Sequence, residues 1–178
     1  MAAQLRHLVI CGSPRANGRC ARLAHDVASG LSAAHPGCRV ESIGVCDADI
    51  HGCIGCGHCR TAGECVFADD MAQVMRALDA ASELHIVCPV YFAGPPAQMK
   101  ALLDRLQPHY WKGTRFAPKH PAHLHVVGEG GDPHGYGPLV TICRSALAVA
   151  GFELQDVTPH IGAADPAAPD APALGGEA

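Results

Sequence analysis

Between His51 and Cys65 the chain reads HGCIGCGHCRTAGEC, placing Cys53, Cys56, Cys59 and Cys65 in a C-x2-C-x2-C-x5-C spacing among four glycines and two histidines. Four soft thiolates this close together suit an iron–sulfur or metal site, redox-active thiols, or a disulfide staple. A cubane cluster needs its four ligands to converge within a few ångström, and Gly52, Gly55, Gly57 and Gly63 let the backbone curl enough for that. Structural zinc sites more often split into two separated pairs, although His51 and His58 stand ready as replacement ligands.

Which chemistry applies depends on the compartment and on the elements that carry the loop. The sequence has 178 residues, 48% of them apolar and 17% charged, with a formal charge of −4. That composition predicts one folded domain and offers no electrostatic footprint for nucleic acid or an anionic membrane. No apolar run approaches the ~20 residues needed to span a bilayer. The N-terminal MAAQLRHLVICGSP lacks the charged region and cleavage site of a signal peptide, so a cytoplasmic protein is expected. In a reducing compartment clustered cysteines point to metal or catalysis rather than to a staple. The six dispersed cysteines (Cys11, Cys20, Cys38, Cys46, Cys88 and Cys143) read as small buried hydrophobes.

Strand and helix signals alternate along the chain. Apolar runs at Leu5–Cys11, Arg39–Val45, Leu84–Cys88, His123–Val127 and Gly151–Val157 predict five strands. Between them, Leu23, Val27 and Leu31 mark one amphipathic helix, and Met71, Val74, Met75 and Leu78 a second. Met99, Leu102, Leu103 and Leu106 mark a third after Pro95-Pro96, and Leu139, Ile142, Cys143, Ala146, Leu147 and Ala150 a fourth. Such alternation predicts an α/β doubly wound parallel sheet with strand order 2-1-3-4-5, binding ligands beyond the carboxyl ends of strands 1 and 3. One domain is expected over residues 1–158, its cysteine-rich loop at 46–68, followed by an Ala/Pro-rich disordered tail over 159–178. Pro108–Pro121 reads as an irregular connection.

The loop after strand 1, Gly12-Ser-Pro-Arg-Ala-Asn-Gly18, would turn backbone N–H groups and a helix start toward an anion. Ser13, Asn17 and the backbone at Gly18 can donate to a phosphate, and Arg15 or Arg19 can add charge. The spacing excludes a nucleoside-triphosphate loop, and no G-x-G-x-x-G supports a dinucleotide fingerprint.

This run resembles the phosphate-binding signature of the NAD(P)H-dependent FMN reductases of the flavodoxin-like superfamily. Pro89-Val-Tyr-Phe92 and Gln98-Met-Lys-x-Leu-Leu-Asp-Arg105 resemble the family's second and third signatures, in the right order. The resemblance implies that Ser13, Arg15, Asn17 and Gly18 hold the FMN phosphate. Cys20 occupies a position where the family carries Thr or Ser, which leaves more of the grip to backbone groups. Pro89, Val90, Tyr91 and Phe92, with Gly128 and Gly130 of the later glycine loop, would line the isoalloxazine ring. A flat amphipathic ring needs such backbone donors and an aromatic wall.

The cysteine spacing resembles that of the iron–sulfur flavoproteins, a branch of the same superfamily, implying a [4Fe–4S] cluster on Cys53, Cys56, Cys59 and Cys65 within electron-transfer reach of the FMN. The resemblance implies a homodimeric oxidoreductase with flavin-centred chemistry and no catalytic side chain. NAD(P)H or a ferredoxin-like protein would donate electrons, and a quinone, flavin or protein would accept them. A non-catalytic electron-transfer flavoprotein or thiol-based redox sensor is the alternative. Trp111 is expected at the dimer contact, and Asp104 with Arg105 as an exposed ion pair. His123 and His125 should share one strand face, where no third carboxylate or cysteine is expected to complete a metal site.

Overall fold

The computed structural model describes residues 4–162. Five strands form one parallel sheet: β1 (Arg6–Cys11), β2 (Arg39–Gly44), β3 (Glu83–Pro89), β4 (His120–Gly128) and β5 (Phe152–Ile161). Their spatial order is β2-β1-β3-β4-β5, as the alternating pattern predicts. The central strands β1 and β3 are buried on both faces, which is why they read as unbroken apolar runs.

Alternate residues of each strand serve opposite layers. Leu8, Ile10, Leu84, Ile86 and Leu124 meet the helices α3 (Met71–Ala80), α4 (Ala97–Asp104) and α6 (Gly137–Val149) through Met71, Val74, Met99, Leu102, Leu139 and Cys143. Val9, Cys11, Val87 and Val127 point the other way, onto Leu23, Val27 and Leu31 of α1 (Arg19–Ala34). The period of two in the strands and of nearly four in α1 therefore meet in one packed layer.

Four local readings change. The strand β5 continues through Pro159, His160 and Ile161, beyond the expected end at Val157, because it stays paired with β4 as far as Gly128. The remainder of the expected tail, 163–178, lies outside the described residues. The supposed irregular connection contains a helix, α5 (Gln107–Lys112), and a 3-10 turn (Thr114–Phe116). A five-residue helix, α2 (His58–Ala62), sits inside the cysteine loop between left-handed Gly57 and Gly63. Of the six dispersed cysteines, Cys38 and Cys46 are half-buried rather than buried.

Candidate functional site

A cavity of about 520 Å³ opens where the carboxyl ends of β1, β3 and β4 meet the start of α1. That volume suits a cofactor-sized molecule. Its floor includes Ser13, Arg15, Gly18 and Cys20 from the first loop. The Ser13 hydroxyl accepts from the Arg15 amide at 3.1 Å, which folds the loop back on itself. No side chain caps the start of α1, so its first-turn N–H groups face the loop without an internal partner. A Cβ at Gly12 would come within 3.2 Å of the Cys88 sulfur and the Met99 side chain, so the turn leaving β1 is tightly packed at this glycine. Burial pushes the Cys20 thiol up to about 12, making it a neutral packing group.

The opposite wall is made by Pro89, Val90, Tyr91 and Phe92. Tyr91 and Gly94 exchange both backbone hydrogen bonds, at 2.8 and 3.0 Å, and close a two-residue turn. Its central residues Phe92 and Ala93 have φ of 50° and 64°. The turn holds the Phe92 ring in full exposure at the cavity mouth. Gly128 and Gly130 complete the third side with Glu129, Gly131, Asp132, Tyr136 and Ile161. Gly128 is tightly fitted, since a Cβ there would meet Ile161 at 3.1 Å. Arg19 reaches across, donating to the carbonyls of His160 at 2.9 Å and Gly128 at 3.4 Å, and so ties α1 to the ends of β4 and β5.

Every residue expected at the FMN site lines this cavity except Asn17. Asp132, Tyr136 and Ile161 are lining residues that sequence reasoning missed. Ile161 falls within the expected tail, and nothing local marks Tyr136 as the residue preceding α6.

A second cavity, of about 310 Å³, is lined by all four clustered cysteines together with Phe67, Arg105, Pro108 and Trp111. Gly55 and Gly57 take φ of 66° and 75°, so the chain reverses between Cys53 and Cys59 by using conformations that side-chain-bearing residues avoid. Burial raises the Cys59 thiol, and the thiols of Cys65, Cys53 and Cys56 raise it further. The four sulfur atoms therefore share one electrostatic neighbourhood. His58 is exposed and does not line the cavity.

Arg105 anchors this loop. Far from forming an exposed pair with Asp104, it is 2% exposed and makes a bidentate pair with Asp69 at 2.8 and 2.9 Å. The same guanidinium donates to the His51 carbonyl at 2.8 Å and lies 5.0 Å from the Phe67 ring centroid. Asp104 instead pairs with Lys100 one helical turn earlier, at 2.6 Å. Asp69 also accepts from the His51 amide, so both ends of the cysteine loop close on one ion pair. Trp111, expected at a dimer contact, forms a wall of this cavity under the guanidinium of Arg60, 5.1 Å from its ring centroid. The two cavities have no lining residue in common.

Residues 5–156 match the model of the NADPH-dependent FMN reductase family. An iron–sulfur flavoprotein of Methanocaldococcus jannaschii is 34% identical over 99 residues, 56% of this chain and 50% of that protein. An iron–sulfur flavoprotein of Archaeoglobus fulgidus is 34% identical over 105 residues, 59% of this chain and 47% of that one. The chain thus spans about half the length of the curated relatives it matches. Among solved structures, an NADH:FMN oxidoreductase in its apo form superposes with a TM-score of 0.61 at 23% identity, over 89% of this chain and 75% of its own. A quinone reductase described as putative, from Klebsiella pneumoniae, gives 0.63 at 17% identity, over 89% and 76%. These structural likenesses establish the flavodoxin-like fold.

Proposed function

Because the chain belongs to the NADPH-dependent FMN reductase family, we propose that it is an FMN-dependent oxidoreductase that draws electrons from a nicotinamide or a reduced protein carrier and holds a [4Fe–4S] cluster on Cys53, Cys56, Cys59 and Cys65. The observation that carries the flavin reading is the cavity at the carboxyl ends of the central strands, whose three walls come from the three loops a phosphorylated flat ring requires. Bound FMN would supply the chemistry, accepting a hydride and releasing electrons singly.

The chain's own residues bind and orient. The uncapped first turn of α1 and the Ser13 loop offer N–H and hydroxyl donors to a phosphate, and Arg15 adds positive charge. Tyr91 and Phe92 offer an aromatic face, and the glycine loop from Gly128 lets backbone approach the ring edge. No side chain is asked to move a proton. The cluster reading is supported by four thiols around one cavity, by the left-handed glycines between them, and by buried Arg105 as a positive neighbour.

The test is anaerobic purification of the full chain, quantitation of FMN and iron, and steady-state oxidation of NADH and NADPH with quinone and free-flavin acceptors. About one FMN and about four iron atoms per chain, with broad cluster absorbance, are expected. FMN without iron would remove the cluster, and a colourless protein that does not take up added FMN would remove the flavin. A yellow protein inert toward both nucleotides would be a carrier rather than a reductase.

A further inference from the structure

At the opposite, amino-terminal end of the sheet, His7, Glu83 and His85 place one ligand atom each within 4.8 Å of one another. They stand on adjacent strands in direct register, because His7 of β1 is the partner of Glu83 of β3, and His85 lies two residues on, on the same face. Glu83 Oε2 is 3.3 Å from His7 Nδ1, and Glu83 Oε1 is 3.0 Å from His85 Nε2. A further histidine stands beside this set of three. His123 of β4 is the register partner of His85, and its Nε2 lies 3.2 Å from Glu83 Oε1. The carboxylate missing from the sequence expectation for this histidine face is Glu83, 40 residues earlier in the chain.

Two features distinguish this cluster from an ordinary hydrogen-bonded one. His7 is 2% exposed, yet among the described residues neither of its ring nitrogens has a hydrogen-bond partner. Its Nδ1 lies 3.3 Å from the carboxylate without forming a hydrogen bond to it. His123 Nδ1 is 2.6 Å from Asp156 Oδ2. With its proton on that nitrogen, His123 turns an Nε2 lone pair toward an oxygen of Glu83. Two lone pairs facing each other at 3.2 Å repel unless a proton or a metal ion lies between them, and a metal ion would also meet the unbonded nitrogens of His7. A carboxylate that orients an imidazole whose other nitrogen faces the ion is the usual outer-sphere arrangement of a metal histidine. Imidazole and carboxylate donors together suit borderline divalent ions of the zinc class.

We propose that His7, Glu83 and His85 form the core of a second metal site, for Zn²⁺ or a similar divalent transition ion, with the neighbouring His123, oriented by Asp156, completing it, and separate from both cavities described above. The ion would tie β1, β3 and β4 together from residues already held by the sheet. The site does not depend on the flavin or cluster reading.

The test uses the tag-free full chain in which Cys53, Cys56, Cys59 and Cys65 are replaced by Ser, so that the clustered thiols cannot report. Titration with Co²⁺ is expected to give stoichiometric visible d–d bands without thiolate charge transfer, and Zn²⁺ should displace it and raise the thermal midpoint. Glu83→Gln and His123→Asn should abolish the stoichiometric bands while retaining circular dichroism and FMN uptake. Asp156→Asn should weaken Co²⁺ binding about 10- to 100-fold. Absence of Co²⁺ bands in the folded parent, or undiminished binding in both Glu83→Gln and His123→Asn, would overturn the proposal.

Discussion

At the scale of single residues, the ion pair of Asp69 and Arg105 is the contact on which the cysteine loop depends. Burial by itself would push the Asp69 carboxyl up. The hydrogen bond from Arg105, the His51 amide, the guanidinium charge and the Met71 amide outweigh it and hold the carboxyl below the usual carboxylate range. Protons then bind the unfolded chain more readily than the folded one. The pair's contribution is therefore complete above the ordinary carboxylate range near pH 4 and is lost as pH falls through the lower folded value. Replacing Asp69 by Asn strands a buried guanidinium, and a loss of about 3–5 kcal/mol is expected in urea unfolding at pH 7. The variant should lose stability less steeply than the parent between pH 5 and 3, relative to its own value at pH 7. An unchanged acid limb would mean that other carboxyls govern it.

At the scale of elements, the turn from Tyr91 to Gly94 sets an aromatic ring at the cavity mouth against local backbone preference. Two-residue hairpin turns with both central residues at positive φ favour Asn-Gly, whereas this one carries Phe92-Ala93. The left-handed conformation costs a residue with a side chain roughly 1–2 kcal/mol. Glycine at Phe92 removes that cost but gives the unfolded chain more freedom, worth about 0.4–1 kcal/mol in the other direction. Because the Phe92 side chain is fully exposed, no packing is lost. Phe92→Gly should thus leave the cofactor-free protein as stable or more stable by up to about 1 kcal/mol, while FMN binds more weakly in fluorescence-quenching titrations. A variant with lower stability and unaltered FMN affinity would show that the ring packs in the native state rather than waiting for a ligand.

The same scale shows why some elements were legible and others not. The strands β1 and β3 and the helix α1 announce themselves because apolar runs and fourfold spacing persist over several turns. The helices α2 and α5 have five and six residues, too few for a period to emerge; left-handed glycines bound α2 at both ends and α5 at its C-terminal end, and these also read as loop. Arg105 sits beside Asp104 in sequence, so a local pair was the natural reading. Its true partner is 36 residues away and becomes visible only when α4 is docked. Histidines at 123 and 125 are legible as one strand face, but the register that brings Glu83 and His7 beside them is a property of the sheet.

At the scale of the whole molecule, the two cavities are built from different parts of the chain and should be separable. The first is assembled by loops at the carboxyl ends of β1, β3 and β4, the second by one long loop resting on Arg105 and α5. Cys53 and Cys56 are exposed, Cys59 and Cys65 half-buried, and none belongs to either buried core. Replacing all four by Ser therefore removes no core packing, and the Arg105 anchor keeps its Asp69 and His51 partners. The quadruple variant should lose its cluster iron yet retain about one FMN per chain and a thermal midpoint within a few degrees of the iron-free parent. Anaerobic purification with paired iron and flavin quantitation reads this directly. Loss of FMN together with iron would show that the cysteine loop props the first cavity through contacts that neither lining reveals. Retention of about four iron atoms per chain would move the cluster to other ligands altogether. If the separation holds, direct reduction of bound FMN by a nicotinamide should survive in the variant, and one-electron delivery to a protein acceptor should fall. That split would assign hydride uptake to the sheet's carboxyl end and electron exit to the cysteine loop.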